Sequence, residues 1–136
     1  MTEESDPLSR LRALSQTGAF NSWLGLEVVA ATPGEIELRL RWRPEFAQYN
    51  GFVHASIVGG LIDTACGFAA FSMSGAVMAS QFSVRCLRPA VADVFVVKGR
   101  VVKPGRRQIF AAAELFGLGA PESLFAVGDS ILIPLA

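Results

Sequence analysis

Residues 48–67 read Q-Y-N-G-F-V-H-A-S-I-V-G-G-L-I-D-T-A-C-G, and this stretch decides how the rest of the chain is arranged. From about Ala55 to Ser72 the pattern predicts a helix that is apolar nearly all round, with small residues at Gly59, Gly60, Ala65, Gly67, Ala69 and Ala70. A helix without a polar face is a buried helix, and small residues let neighbouring backbones approach closely. Each glycine costs about 1 kcal/mol relative to alanine inside a helix, so close packing has to offset the loss. Within this run stands one carboxylate, Asp63, nine residues after the only histidine, His54. A lone acid in a segment built for burial costs several kcal/mol unless it is paired, protonated or useful.

The flanking sequence supplies strands. Leu24 to Ala31 reads as a strand, T-P-G as a turn, and Glu35 to Arg43 alternates strictly. Ile36, Leu38, Leu40 and Trp42 would face one way, and Glu35, Glu37, Arg39, Arg41 and Arg43 the other. After the long helix, four more strands are predicted at about Val77–Leu87, Val94–Val102, Arg107–Phe116 and Ser123–Leu135, separated by proline- and glycine-bearing turns. At the other end, Asp6-Pro7 looks like an N-cap with proline at the first helical position, and Gly18 like a stop, with Leu8, Leu11 and Leu14 at helical spacing between them. The expected class is α+β: an antiparallel sheet of five to six strands wrapped around one long central helix. The chain reads as a single domain over residues 1–136, with residues 1–18 as an N-terminal helical extension.

Composition narrows the function classes. The 136 residues carry twelve basic and twelve acidic side chains, so no global charge points to a nucleic-acid or membrane partner. Seven basic residues and one acid, Asp93, lie between Arg85 and Arg107, which fits either a phosphorylated ligand or a solvated sheet face. Cys66 and Cys86 have no metal or disulfide spacing, and no signal peptide or uninterrupted apolar span is evident, so a cytoplasmic setting is expected. One histidine without a companion carboxylate or thiol makes a poor zinc set, so no metal is expected. A serine-based triad is unsupported as well, for want of a nucleophile-elbow motif.

Helix geometry separates the two conspicuous residues. Nine steps of about 100° put Asp63 on the far side of the helix from His54, roughly 13 Å along the axis. From Ala55, eight steps give about 12 Å. Either Asp63 and the helix start are unrelated, or a two-fold dimer brings one subunit's helix start to the other's Asp63, twice over. Free N–H groups at a helix start suit a developing oxyanion, and a carboxylate facing them could attack a carbonyl or activate water.

The segment resembles the central motif of hotdog-fold acyl-CoA thioesterases of the phenylacetate-pathway and 4-hydroxybenzoyl-CoA type: Asn or Gln, then G-x-x-H-G-G, then an acid nine residues after the histidine. Gln48, Gly51, His54 and Asp63 occupy the matching positions. The later Q-F-S-V-R-C-L-R-P-A and G-R-V-V-K-P-G-R-R-Q stretches resemble the family's following strands, so the likeness covers about Gly25 to Ile133. It implies a hotdog fold and hydrolysis of an aryl- or medium-chain acyl-CoA, with coenzyme A as part of the substrate and no separate cofactor. It also implies a homodimer or a dimer of dimers with sites at the subunit interface. By the same resemblance Asp63 is the base or nucleophile, the Ala55 N–H polarises the thioester carbonyl across the interface, Gln48 holds water or carbonyl, and His54 supports the loop. Gly51 and Ser56 would line the substrate, and Lys103, Arg106 and Arg107 would meet the coenzyme A phosphates. The family's H-G-G reads H-A-S here, which bears on substrate range and leaves a non-catalytic acyl-CoA-binding protein as the alternative.

Overall fold

A computed structural model describes residues 6–135; residues 1–5, which include the acidic start of the sequence, and residue 136 lie outside the described residues. Helix α1 spans Pro7–Thr17 and α2 spans Ala19–Leu24; strands β1 (Glu27–Thr32) and β2 (Glu35–Arg41) follow. A single 3-10 turn at Pro44–Phe46 leads into α3 (Ala55–Ser74), and β3 (Val77–Cys86), β4 (Val94–Lys103), β5 (Ile109–Gly117) and β6 (Leu124–Pro134) complete the chain. The strands form one sheet in the order β1-β2-β4-β5-β6-β3, with every neighbouring pair antiparallel.

The sheet curls around α3 because of what each strand presents to it. Ile36, Leu38 and Leu40 of β2, Phe95 and Val97 of β4, and Ile109, Ala111, Ala113 and Leu115 of β5 are all buried against the helix side. Opposite them Val58, Leu61, Ile62, Ala65, Cys66 and Ala69 of α3 are buried. Each large apolar side chain removed from water contributes about 1.5–3 kcal/mol. Gly99 on β4 is where the layers come closest: a Cβ there would fall onto the carbonyl oxygen of Ala65. Gly128 on β6 is equally tight, since its Cβ would strike Ile62 and the Ser83 carbonyl. By length and composition α3 could cross a membrane, but one of its faces is taken up by this sheet.

Four expectations need correction. Leu24 is not the first residue of a strand; it ends α2, and β1 begins only at Glu27, after Gly25 turns the chain at φ 71°. The strand predicted to Arg43 ends at Arg41, and Arg43 does not face the wet side of the sheet. Its guanidinium lies over the rings of Trp23 (5.0 Å) and Phe46 (4.5 Å), tying α2 to the segment before α3. The long helix is not covered on all sides: Gly59, Gly60, Asp63, Thr64, Gly67 and Phe71 remain partly open. Finally, β5 starts at Ile109 rather than Arg107, leaving both arginines in the preceding turn. Asp6 does precede α1, yet its carboxylate accepts from Ser9 Oγ (3.3 Å) rather than from the helix backbone.

β3 closes the sheet on one side. It is ten residues long and pairs with β6 along one edge, while Met78 and Phe82 stand 52% and 46% exposed. A strand with one edge unpaired is a template for pairing with another chain. On the opposite side of α3, the helices α1 and α2 pack through Leu11 and Leu24.

The Gly99–Ala65 approach makes a prediction about stability. Gly99→Ala forces the helix off the sheet and should cost about 1–3 kcal/mol. Thermal denaturation should show a clear fall in Tm, whereas Gly18→Ala, where φ is −92° and a Cβ would meet nothing closer than 3.8 Å, should cost less.

Candidate active site

The loop before α3 is built to present a helix start. Ala47 and Val53 bridge its two ends, and Gly51 turns it at φ 88°. The His54 N–H donates to the Phe46 carbonyl (2.8 Å) and the Val53 N–H to that of Ala90 (3.2 Å). His54 then caps the helix: its Nδ1 accepts from the Ser56 N–H (3.0 Å) and lies 2.7 Å from Ser56 Oγ. In accepting from this N–H, Nδ1 commits its lone pair to the helix start.

The first four N–H groups of a helix have no partner within the helix. Here the Ser56 N–H goes to the His54 ring, and those of Ile57 and Val58 go to the His54 carbonyl at 2.9 and 3.2 Å. The Ala55 N–H makes no hydrogen bond among the described residues. It fronts a cavity of about 420 Å³ whose walls include Gln48, His54, Ala55, Cys86, Arg88 and Phe125. Gln48 Oε1 is occupied by the Asn50 N–H, which leaves the amide nitrogen of Gln48 as its free donor at this cavity.

Asp63 stands elsewhere. It lines a second cavity of about 310 Å³, together with Thr64, Gly67 and Phe71 of α3, residues of the β3 region, and Leu14 and Asn21 from the N-terminal helices. The carboxylate is half-buried and makes no hydrogen bond or ion pair among the described residues. Burial alone pushes its pKa up from the ordinary carboxylate value. Cys66 is buried and its thiol is pushed up to about 12, first by desolvation and then by the charges of Asp63 and Asp129, which makes it a core residue rather than a nucleophile.

Of the residues singled out from sequence, Gln48, His54 and Ala55 come together at the helix start, and Asp63 is apart from them. Gly51 lines a separate shallow cavity with Trp42 and Asp93. Ser56 turns back onto His54 and is absent from the helix-start cavity, so its hydroxymethyl group does not narrow it. Lys103 ends β4, and Arg106 and Arg107 occupy the turn after it, exposed. That end of the sheet adjoins the far end of α3: the Val101 N–H bonds the Gly34 carbonyl, and the Gly34 N–H bonds Ser72 Oγ (both 2.8 Å). A twenty-residue helix is about 30 Å long, so these cations sit most of a helix length from Ala55 of the same chain. The cation that does line the helix-start cavity is Arg88, stacked on Phe125 at 4.1 Å and bonded to the carbonyls of Leu124 and Ser123. Sequence reading passed over Arg88, although its place in R-C-L-R-P-A, just before a proline, marked a strand exit. No group of three or more His, Cys, Asp or Glu is gathered among the described residues.

A family model described as the thioesterase superfamily matches residues 50–120, the span that holds the helix start, Asp63 and the cations of the β4–β5 turn. The chain belongs to the thioesterase superfamily. A thioesterase family protein from Silicibacter pomeroyi is 31% identical, with a TM-score of 0.87 over 93% of this chain and 96% of that one. The Escherichia coli PaaI protein from the phenylacetic acid degradation operon superposes with a TM-score of 0.88 at 18% identity, covering 96% of this chain and 94% of its own. Zebrafish thioesterase superfamily member 2 follows at 0.80 and 21% identity, with 91% and 92% covered; at such identities the likeness is one of fold. No curated protein matches the sequence. The fold is the expected hotdog, and the chain is a thioester hydrolase of this superfamily.

The unpartnered carboxylate has a thermodynamic signature. A carboxyl whose folded pKa is raised binds its proton more tightly in the folded state, so stability falls as pH rises above the ordinary carboxylate range. Asp63→Asn should therefore raise Tm at pH 7 to 8. The gain should vanish in melts below the ordinary carboxylate range, where wild-type Asp63 is also neutral.

Proposed function

We propose that the chain hydrolyses aryl- or medium-chain acyl-CoA thioesters at sites completed by a second copy of itself. The observation that carries this reading is the separation of two unsatisfied groups. The free Ala55 N–H and the free Asp63 carboxylate front different cavities, and eight helical residues put them about 12 Å apart along α3. Each lacks the complement that the other provides. A two-fold axis pairing the helices of two copies supplies both complements at once, and the exposed edge of β3 offers a surface for that pairing.

At such a site the thioester carbonyl oxygen accepts from the Ala55 N–H of one copy while Asp63 of the other takes a proton from water. The water oxygen bonds to the carbonyl carbon, and the resulting oxyanion is held by the helix-start donor, worth about 2.7–4 kcal/mol. Collapse breaks the carbon–sulfur bond, and the coenzyme A thiolate leaves with the proton returned from Asp63. The raised pKa of Asp63 brings its basicity closer to neutral pH, where a general base is most effective. Direct attack by the carboxylate, through an anhydride that water then opens, uses the same arrangement. Gln48 offers its free amide donor to water or carbonyl. His54 holds the helix start in shape. Arg88 beside the helix start, and Lys103, Arg106 and Arg107 at the far end of α3, are the cations available to the coenzyme A phosphates.

The purified protein, given a panel of aryl and medium-chain acyl-CoAs with a thiol reagent, should release free coenzyme A. Asp63→Asn should lower kcat by at least about 10²-fold while acyl-CoA binding persists. Release by neither protein, with binding by both, would make the chain an acyl-CoA binder instead. His54→Ala should cost stability of about 0.5–2 kcal/mol, as loss of a cap does, with a smaller loss of kcat than Asp63→Asn. Sedimentation should give a dimer or larger; a monomer at micromolar concentration defeats the shared site.

A further inference from the structure

The cavity beside Asp63 has a direction. Asp63, Gly67 and Phe71 follow one another at intervals of four along α3, so they form a single stripe about 12 Å long. Gly67 leaves that stripe without a side chain at its middle. The space is a real vacancy: a Cβ on Gly67 would meet only Leu132, at an ordinary 3.8 Å.

The opposite wall is the N-terminal helix pair, running antiparallel to α3. Arg10 of α1 stacks over Phe71 (5.3 Å), and Phe20 of α2 lies on Gly60, its ring 3.0 Å from where a Cβ would be. Leu14 falls between these two anchors and faces the same cavity as Gly67. The wall is fixed in place. Arg12 Nε donates to the Val28 carbonyl (3.0 Å), Asn21 Nδ2 donates to Ser15 Oγ (3.2 Å), and Leu11 and Leu24 are buried in the core.

Resting on the thioesterase reading above, we propose that the trough between Gly67 and Leu14 is the acyl gauge of the site. The thioester carbon sits at Asp63, the acyl tail runs over Gly67 toward Phe71, and Leu14 together with the Arg10-covered Phe71 sets how much tail is accepted. The substrates selected are compact, single-ring or medium-length acyl groups rather than long chains, which would have to lift α1 away from the core.

The experiment compares kcat/KM for butanoyl-, octanoyl- and hexadecanoyl-CoA across the wild type, Gly67→Ala, Leu14→Phe and Leu14→Ala. In an apolar pocket one methylene changes kcat/KM by roughly 10–200-fold, so the shifts should be large. Gly67→Ala and Leu14→Phe should lower the octanoyl-to-butanoyl ratio by at least about tenfold. Leu14→Ala should raise the hexadecanoyl-to-octanoyl ratio. Gly67→Ala also improves helix propensity and has room for its methyl group, so its Tm should hold or rise while its selectivity narrows. A purely structural role for Leu14 and Gly67 would scale all three substrates alike, and that outcome overturns the gauge while leaving the hydrolase intact. If the wild type releases coenzyme A neither from these three nor from an aryl-CoA, the thioesterase reading fails, and the gauge with it.

Discussion

The whole arrangement depends on how closely α3 seats on the sheet. At Gly99 the β4 backbone comes against the helix backbone at Ala65 with no side chain between them, and at Gly128 the β6 backbone receives the Ile62 side chain of α3. That contact fixes the depth and the roll of the helix together, because two glycines on separate strands admit only one orientation of its buried face. The roll in turn decides which stripe of α3 is left uncovered. Asp63, Gly67 and Phe71 lie on that stripe because Ile62, Ala65, Cys66 and Ala69 lie on the other. Site and core are one helix seen from two sides, and the apolar burial that stabilises the fold holds the acid where burial costs something.

That cost has no compensation within the described chain. Asp63 has neither hydrogen bond nor counter-charge there, and its pKa rises through desolvation alone. Structural acids in cores are ordinarily paired. An acid left unpaired, facing a cavity of ligand size, is the pattern expected where function has been favoured over stability. The helix start is unsatisfied in a complementary way. His54 takes up three of the four terminal N–H groups, by ring and by carbonyl, and the group left over is the one that fronts the neighbouring cavity.

Much of this was legible in the residues. Strict alternation through Ile36, Leu38 and Leu40 marked β2 and its buried face, and the unbroken small-and-apolar run after His54 marked α3. The spacing of Asp63 from Ala55 already forbade a shared site within one chain. What escaped has physical reasons. Six residues of α2, A-F-N-S-W-L, are too short to show a helical period, and Leu24 to Ala31 then imitates a strand. Arg43 continues the alternation of β2 in sequence, but Pro44 has already turned the chain, and two aromatic rings capture its guanidinium. The cavity walls were invisible because they join distant segments: Leu14 and Asn21 reach Asp63 only once α1 and α2 have folded back along α3. Gly51 and Ser56 follow the motif in spacing, but the loop's own hydrogen bonds turn them away from the cavity that the motif forms.

The donor at the helix start belongs to the main chain, and this has a consequence for how such sites vary. A peptide N–H at position 55 is supplied equally by glycine, alanine or serine, so replacing the side chain leaves the free donor in place. Variation there changes the cavity wall and leaves the N–H in place, as the methyl group of Ala55 does. Only proline removes the group, and proline at the first position of a helix is structurally well tolerated. The fold would accept at that position the single residue that deletes the free N–H, so folding alone does not preserve this donor.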